Sequence, residues 1–206
     1  MKRITSLFAA LICTAGLFAQ TPEEIVERMM AEMDRGSVEG FSMDFNMKLP
    51  IMGTVYSHNM VLGDKMKSEI TGKDKTSVSW SDATTKWTYK SETGEITIEN
   101  KTSSSGSDNS DTKAFDNLID GYKLTLKKET DDAWYIVCKK LRTNKNKHDA
   151  KNMEVTVSKA TYLPVCLRSK SLLFTFSIEN YALGVTEESV TFDLAAYPNA
   201  TIVDKR

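Results

Sequence analysis

From residue 41 to residue 49 the chain reads FSMDFNMKL, with apolar and polar positions alternating without a break. Phe41, Met43, Phe45, Met47 and Leu49 must share one face of an extended strand, and Ser42, Asp44, Asn46 and Lys48 the other. The same period recurs along most of the chain. Strands are predicted at 53–62 and 65–70 around a Gly63-Asp64 turn, and at 77–81, 86–90 and 95–100. More follow at 122–129, 133–141, 153–158, 163–170, 172–180 and 189–194. About a dozen short strands at close spacing predict a mainly β sandwich or barrel.

Two segments break the alternation. Residues 21–36, TPEEIVERMMAEMDRG, carry helix signals at both ends: Thr21 and Glu24 form a T-x-x-E capping box, Pro22 sits in the first turn, and Gly36 follows the last. Ile25, Met29 and Met33 line one face of that helix. Residues 101–113, KTSSSGSDNSDTK, are polar and of low complexity, and they lead into AFDNLID, where Phe115, Leu118 and Ile119 fall at i, i+3 and i+4. A short apolar helix there suits either a lid or the cap of a barrel end.

The first residues, MKRITSLFAALICTAGLFAQ, combine a basic start with a short apolar run, which reads as a secretory signal over 1–19 rather than a membrane span or a buried helix. Bulky Ile12 before Cys13 argues against lipidation at that cysteine. Residues 20–206 then form a single domain. Without Lys2 and Arg3 the chain holds 25 basic against 28 acidic residues, charge that reads as spread along the chain, with no basic patch of the kind nucleic acid needs. Export permits disulfides, but a predicted strand at 153–158 separates Cys138 from Cys166. In a meander that spacing approaches 10 Å, beyond the reach of an S–S bond.

Catalytic chemistry is not legible. His58 and His148 lack partners at metal-ligand spacing, and no nucleophile elbow, P-loop or dinucleotide fingerprint occurs. His58 shares a face with Tyr56, Met60 and Leu62 and reads as a core histidine, while His148 lies in a charged turn. The sequence therefore predicts no enzyme, no metal and no cofactor. It does predict a large, soft interior that includes Trp80, Trp87 and Tyr89 with the apolar series from Phe41 to Leu49, and methionine suits either a plain core or a surface for variable apolar cargo.

The stretch SVSWSDATTKWTYKSETGEITIEN, with Ser81, Asp82, Lys86, Trp87, Tyr89, Ile96 and Ile98, resembles the tryptophan hairpin of the LolA family of periplasmic outer-membrane lipoprotein carriers. The ending VTFDLAAYPNATIVDKR, with Phe192 and Pro198, is similar to that family's C-terminus. The resemblance implies a strongly curved, unclosed antiparallel half-barrel whose helices plug or lid an apolar concave face. It implies an acyl-chain cavity walled by Phe41, Met43, Phe45, Met47, Leu49, Trp80, Trp87 and Tyr89, and a lid of Phe115, Leu118 and Ile119. Trp87 and Tyr89 fit equally well as structural residues of the hairpin's convex side. The implied partners are an acylated lipoprotein or lipid, an inner-membrane releasing complex and an outer-membrane acceptor, met by a monomer in the periplasm. A lipid- or ligand-binding sensor on the same fold is the alternative. One departure stands out: the family's latch Arg-Pro is missing from LGDKMKSEI, where Lys65 and Lys67 are the nearest cations, and lysine lacks the planar fork of arginine.

Overall fold

The computed structural model describes residues 20–49, 53–72, 75–101, 120–147, 149–170 and 175–206. The expected signal, His148 and the lid residues Phe115, Leu118 and Ile119 lie outside the described residues. Helix α1 (Pro22–Asp34) starts at the expected capping box: the Glu24 amide donates to Thr21 Oγ1 at 3.2 Å, and the Thr21 amide donates to Glu24 Oε2 at 2.8 Å. A short α2 (Gly36–Glu39) follows. The chain then turns into β1 at Gly40, whose φ of +72° and 2.8 Å approach to the Val61 carbonyl, measured from a Cβ built there, leave no room for a side chain.

Twelve strands follow: β1 (Phe41–Leu49), β2 (Gly53–Leu62), β3 (Lys65–Thr71), β4 (Thr76–Ser81), β5 (Thr85–Lys90), β6 (Glu95–Asn100), β7 (Tyr122–Glu129), β8 (Ala133–Lys140), β9 (Asn152–Ser158), β10 (Pro164–Lys170), β11 (Thr175–Leu183) and β12 (Thr201–Asp204). They make one sheet in the order β12-β6-β5-β4-β3-β2-β1-β11-β10-β9-β8-β7. Its two ends do not meet, so this is the unclosed half-barrel that the resemblance implied, not the sandwich or closed barrel that alternation alone suggested. Every pairing is antiparallel except β12 on β6, which is parallel. The strand expected at 189–194 is not one. Residues Glu187–Val190 form a helical turn, α3, and Leu194–Ala196 a 3-10 turn, because β12 already occupies the β6 edge. The 187–197 segment instead lies across the sheet as a strap.

Register assigns every side chain to a face. The inner face is the one under α1. There Ile25, Val26 and Met29, all fully buried, pack on Leu124, Trp134, Ile136, Cys138, Val155, Val157, Leu167 and Ile178. α1 crosses one end of this face, with the Arg28 guanidinium 3.8 Å from the centre of the Tyr162 ring and the Tyr181 hydroxyl donating to the Met33 carbonyl at 3.2 Å. Cys138 sits on this inner face, and burial pushes its thiol up to about 12. Cys166 pairs in register with Glu179 on the outer face, so the two free cysteines are separated by the sheet as well as by β9.

Across β2 to β6 the inner face is different. Asn59, Ser68, Ser79, Thr88 and Thr97 stand opposite one another in a single row perpendicular to the strands. Ser68 Oγ donates to Asn59 Oδ1 at 2.8 Å, and the Ser79 and Thr88 hydroxyls are 3.4 Å apart. The aromatic side chains of β4 and β5 point outward, while Val55, Val61, Met66 and Ile70 flank the polar row on the inner face.

Candidate functional site

The eight residues expected to wall one cavity divide between two faces. Phe41, Met43, Phe45, Met47 and Leu49 share the inner face, as the alternation requires. Phe41 stacks on Tyr181 with centroids 5.4 Å apart, and Phe45 on Phe176 at 6.1 Å. Met43 and Phe45 pack against the α1 core. Met47 and Leu49 continue the row away from α1 and are half-buried. β1 spans roughly 27 Å at about 3.4 Å per residue, so Leu49 lies far from the helix that covers Phe41.

Trp80, Trp87 and Tyr89 are on the outer face. Phe45 pairs with Ser57, Ser57 with Ile70, Ile70 with Ser77 and Ser77 with Lys90. Trp80, Trp87 and Tyr89 have the opposite parity to that series. Their cover is the strap. Trp80 meets the edges of Phe192 at 5.3 Å and Tyr197 at 5.7 Å, Trp87 stacks on Phe192 at 5.3 Å, and Tyr89 lies 4.7 Å from Tyr197. Trp80 is 6% exposed and Val190 1%. An ion pair between Lys65 and Glu187 ties the strap down, and Lys67 lies over the Trp80 ring at 5.8 Å. Burial, with the nearby Tyr89 and Glu69, pushes the Tyr197 hydroxyl above its ordinary range. All three aromatics lie on the outer side, packed under the strap. Lys65 and Lys67 are on that side too and cannot latch anything on the inner face.

His58 is not the core histidine expected. It shares a face with Tyr56, Met60 and Leu62, but that face is the outer one, and its side chain is 45% exposed. Its Nδ1 is 2.6 Å from Asp44 Oδ1, and Asn180 Nδ2 donates to Asp44 Oδ2 at 2.7 Å. Asn180 has a φ of +55° in a bulge, where it and Tyr181 together face Met43. Partial burial raises the Asp44 pKa, but the hydrogen bonds from Asn180 and His58 outweigh it and hold the carboxyl below its usual range.

Sequence reasoning missed Met153, and it read Phe176 as inward-facing without its place beside the β1 row. Phe176 is opposite Met47, and Met153 is opposite Cys138 and Ser169 on the same inner side. Phe176 in FTFSI and Met153 in MEVTV carried the alternation, and their register to β1 was the missing piece. A hollow of about 190 Å³ between Lys127, Lys128, Tyr135 and Glu154 opens on the outer face, away from this wall. Among the described residues no three His, Cys, Asp or Glu side chains are grouped as a metal site requires, and no helix is long and apolar enough to cross a membrane.

No family model and no curated protein matches the chain. Solved structures similar to it include an uncharacterized conserved protein from Thermus thermophilus, at 14% identity over 90% of this chain and 100% of that one, with a TM-score of 0.45. A LolA superfamily protein from Nitrosomonas europaea matches at 11% identity over 85% and 99%, with a TM-score of 0.35. A putative outer membrane lipoprotein-sorting protein domain from Vibrio parahaemolyticus matches at 14% over 82% and 95%, with a TM-score of 0.30.

Proposed function

We propose that this chain is a non-enzymatic carrier of the periplasm that holds the acyl chains of lipoproteins on its inner face, for transfer from an inner-membrane releasing complex to an outer-membrane acceptor. The observation that carries the reading is the continuation of the apolar row past α1. Phe41, Met43 and Phe45 meet aromatic or core neighbours near the helix, while Met47 and Leu49 extend the same wall as half-buried side chains beside Phe176. Methionine and phenylalanine there offer an adaptable apolar surface. An acyl chain of about fifteen methylenes costs on the order of 12 kcal/mol to expose to water, at about 0.8 kcal/mol each, so a carrier needs a wall of this kind. The sequence resemblance around Trp87 and at the C-terminus supports the same reading.

The test is native mass spectrometry of protein drawn from its own compartment without detergent, alongside Met47→Asp. A bound acylated polypeptide, reduced at least tenfold by Met47→Asp, is the expected result. A bare wild-type mass together with failure to take up a fluorescent acyl probe in vitro overturns it. A second reading has one observation of its own. With Lys65 and Lys67 both on the outer side and Lys65 engaged by Glu187, the family's latch has no counterpart among the described residues. A lipid-binding or sensing module needs no such latch. Free phospholipid or fatty acid in the native spectrum would favour it.

A further inference from the structure

Besides Asn180, one other non-glycine residue among those described has a positive φ: Tyr162, at +58°, in the turn from β9 to β10. A left-handed backbone is costly for a residue with a ring, and several contacts hold this one. Its amide donates to the Ser158 carbonyl at 2.9 Å. Its ring meets the Arg28 guanidinium at 3.8 Å and the buried Trp134 ring at 5.1 Å, and Lys159 lies over Trp134 at 5.5 Å.

So held, the Tyr162 hydroxyl donates to Gln20 Oε1 at 3.1 Å. Gln20 is exposed and lies before the cap of α1, in no helix or strand. Its Nε2 has no hydrogen-bond partner among the described residues. The helix does not need this contact to begin, because Thr21, Pro22 and Glu24 already start it. A strained, well-anchored tyrosine aimed at the side chain of residue 20 therefore asks for another reason. The secretory signal read from residues 1–19 ends at Ala19, so its removal makes Gln20 the first residue of the chain. An N-terminal glutamine holds a nucleophile, its α-amine, and an electrophile, its carboxamide carbon, at the spacing of a five-membered ring.

We propose that Gln20 is a modification site, closed to a pyroglutamyl lactam once residues 1–19 are removed and docked in that form on Tyr162. The bond that forms joins the α-nitrogen to Cδ, and the bond that breaks is Cδ–Nε2. The proton given up by the amine leaves with Nε2 as ammonia, and nothing is oxidised or reduced. Oε1 becomes the lactam carbonyl, so the atom that Tyr162 binds is kept and the atom without a partner is lost. Closure also removes a positive charge beside the start of α1, the end of a helix where cations are unfavourable. Glutamine gives up rotamer freedom to hold the Tyr162 bond, whereas the lactam has none to give up. The chain then starts on a neutral, anchored ring that offers no free amine to an aminopeptidase. This rests on the signal read into residues 1–19, and not on what the inner face carries.

The experiment is intact-mass spectrometry of the full chain, residues 1–206, expressed with export and collected from the exported fraction. The expected mass is that of residues 20–206 less one ammonia. The undiminished mass of residues 20–206 overturns the proposal and leaves the signal reading standing, and a chain that begins at any other residue overturns both. A second measurement reads Tyr162. Residues 20–206 cut fresh from an N-terminal fusion partner, with the glutamine still open, are compared with the exported, closed protein. Closure should raise the melting temperature by about 2–4 °C. Tyr162→Phe, which keeps the ring and loses only the hydroxyl, should lose at least half of that rise. No rise in wild type, or a rise of the same size in Tyr162→Phe, overturns the docking of the lactam on Tyr162.

Discussion

The two halves of this sheet bury opposite faces. In β7 to β11, with β1, the large apolar side chains point inward to α1, and the outer face carries Thr125, Glu154, Arg168 and Ser177. In β2 to β6 the middle of the inner face is a row of Asn, Ser and Thr, and Trp80, Trp87 and Tyr89 point outward under the strap. The switch falls between β1 and β2, where Phe45 stands opposite Ser57 and Asp44 opposite His58. The difference is one of completeness. Five aromatic rings and Val190 close the outer cluster, whereas among the described residues α1 covers only one end of the inner wall. On the function proposed above, one half is sealed as structure and the other keeps apolar surface for cargo.

Truncating each half at its centre tests that contrast most strongly. Trp80→Ala removes the ring at the middle of the strap cluster, and the expected cost is about 3–5 kcal/mol by urea unfolding. Met29→Ala removes a fully buried side chain of α1, at an expected cost of about 2–5 kcal/mol. The Met29 cavity adjoins the wall, so an acyl probe should restore part of that loss and none of the loss from Trp80→Ala. Equal rescue of both variants would mean that the two halves do not differ in what they are built to hold.

Coupling between residues sharpens the boundary. Trp87 and Phe192 are stacked at 5.3 Å, so the double-mutant cycle to alanine should return a coupling of about 0.5–1.5 kcal/mol. The cycle between Phe192 and Met29, in different halves and on different faces with no shared partner, should be additive within about 0.5 kcal/mol. A coupling above that between Phe192 and Met29 would show the sheet acting as one packed unit instead of two.

The strands and α1 were legible because alternation and the capping box are local signals. FSMDFNMKL put five residues on one face, and the structure keeps all five there. What period 2 does not carry is how one strand's parity joins the next. The Leu49 to Gly53 register sets it, and that register sends Met60 and Leu62 outward when Phe45 points inward. So Trp80, Trp87 and Tyr89 were grouped with the inner wall but lie on the outer face, although the convex-side alternative for Trp87 and Tyr89 was already visible. His58 was misjudged for the same reason. The stretch SVTFDL alternates over only six residues, which suits a strap over rings as well as a strand.

The seam between the halves offers the smallest and most local test. Asp44 of β1 accepts hydrogen bonds from Asn180 of β11 and pairs with His58 of β2, tying the last strand of one half to the first of the other. Its carboxyl is held below the ordinary 3.8, so the tie contributes stability above about pH 4, and that stability is lost as pH falls through the folded-state pKa. The Asp44 side chain is 32% exposed and that of His58 45%, so solvent screening limits the contribution to about 0.2–1 kcal/mol. Asp44→Asn should therefore be less stable than wild type by that amount near pH 6, measured by urea unfolding, and the gap should close as pH falls through the folded-state pKa of Asp44. A gap that persists undiminished in acid would mean that the amide alters packing at the seam and that the charge of Asp44 is not what joins the two halves.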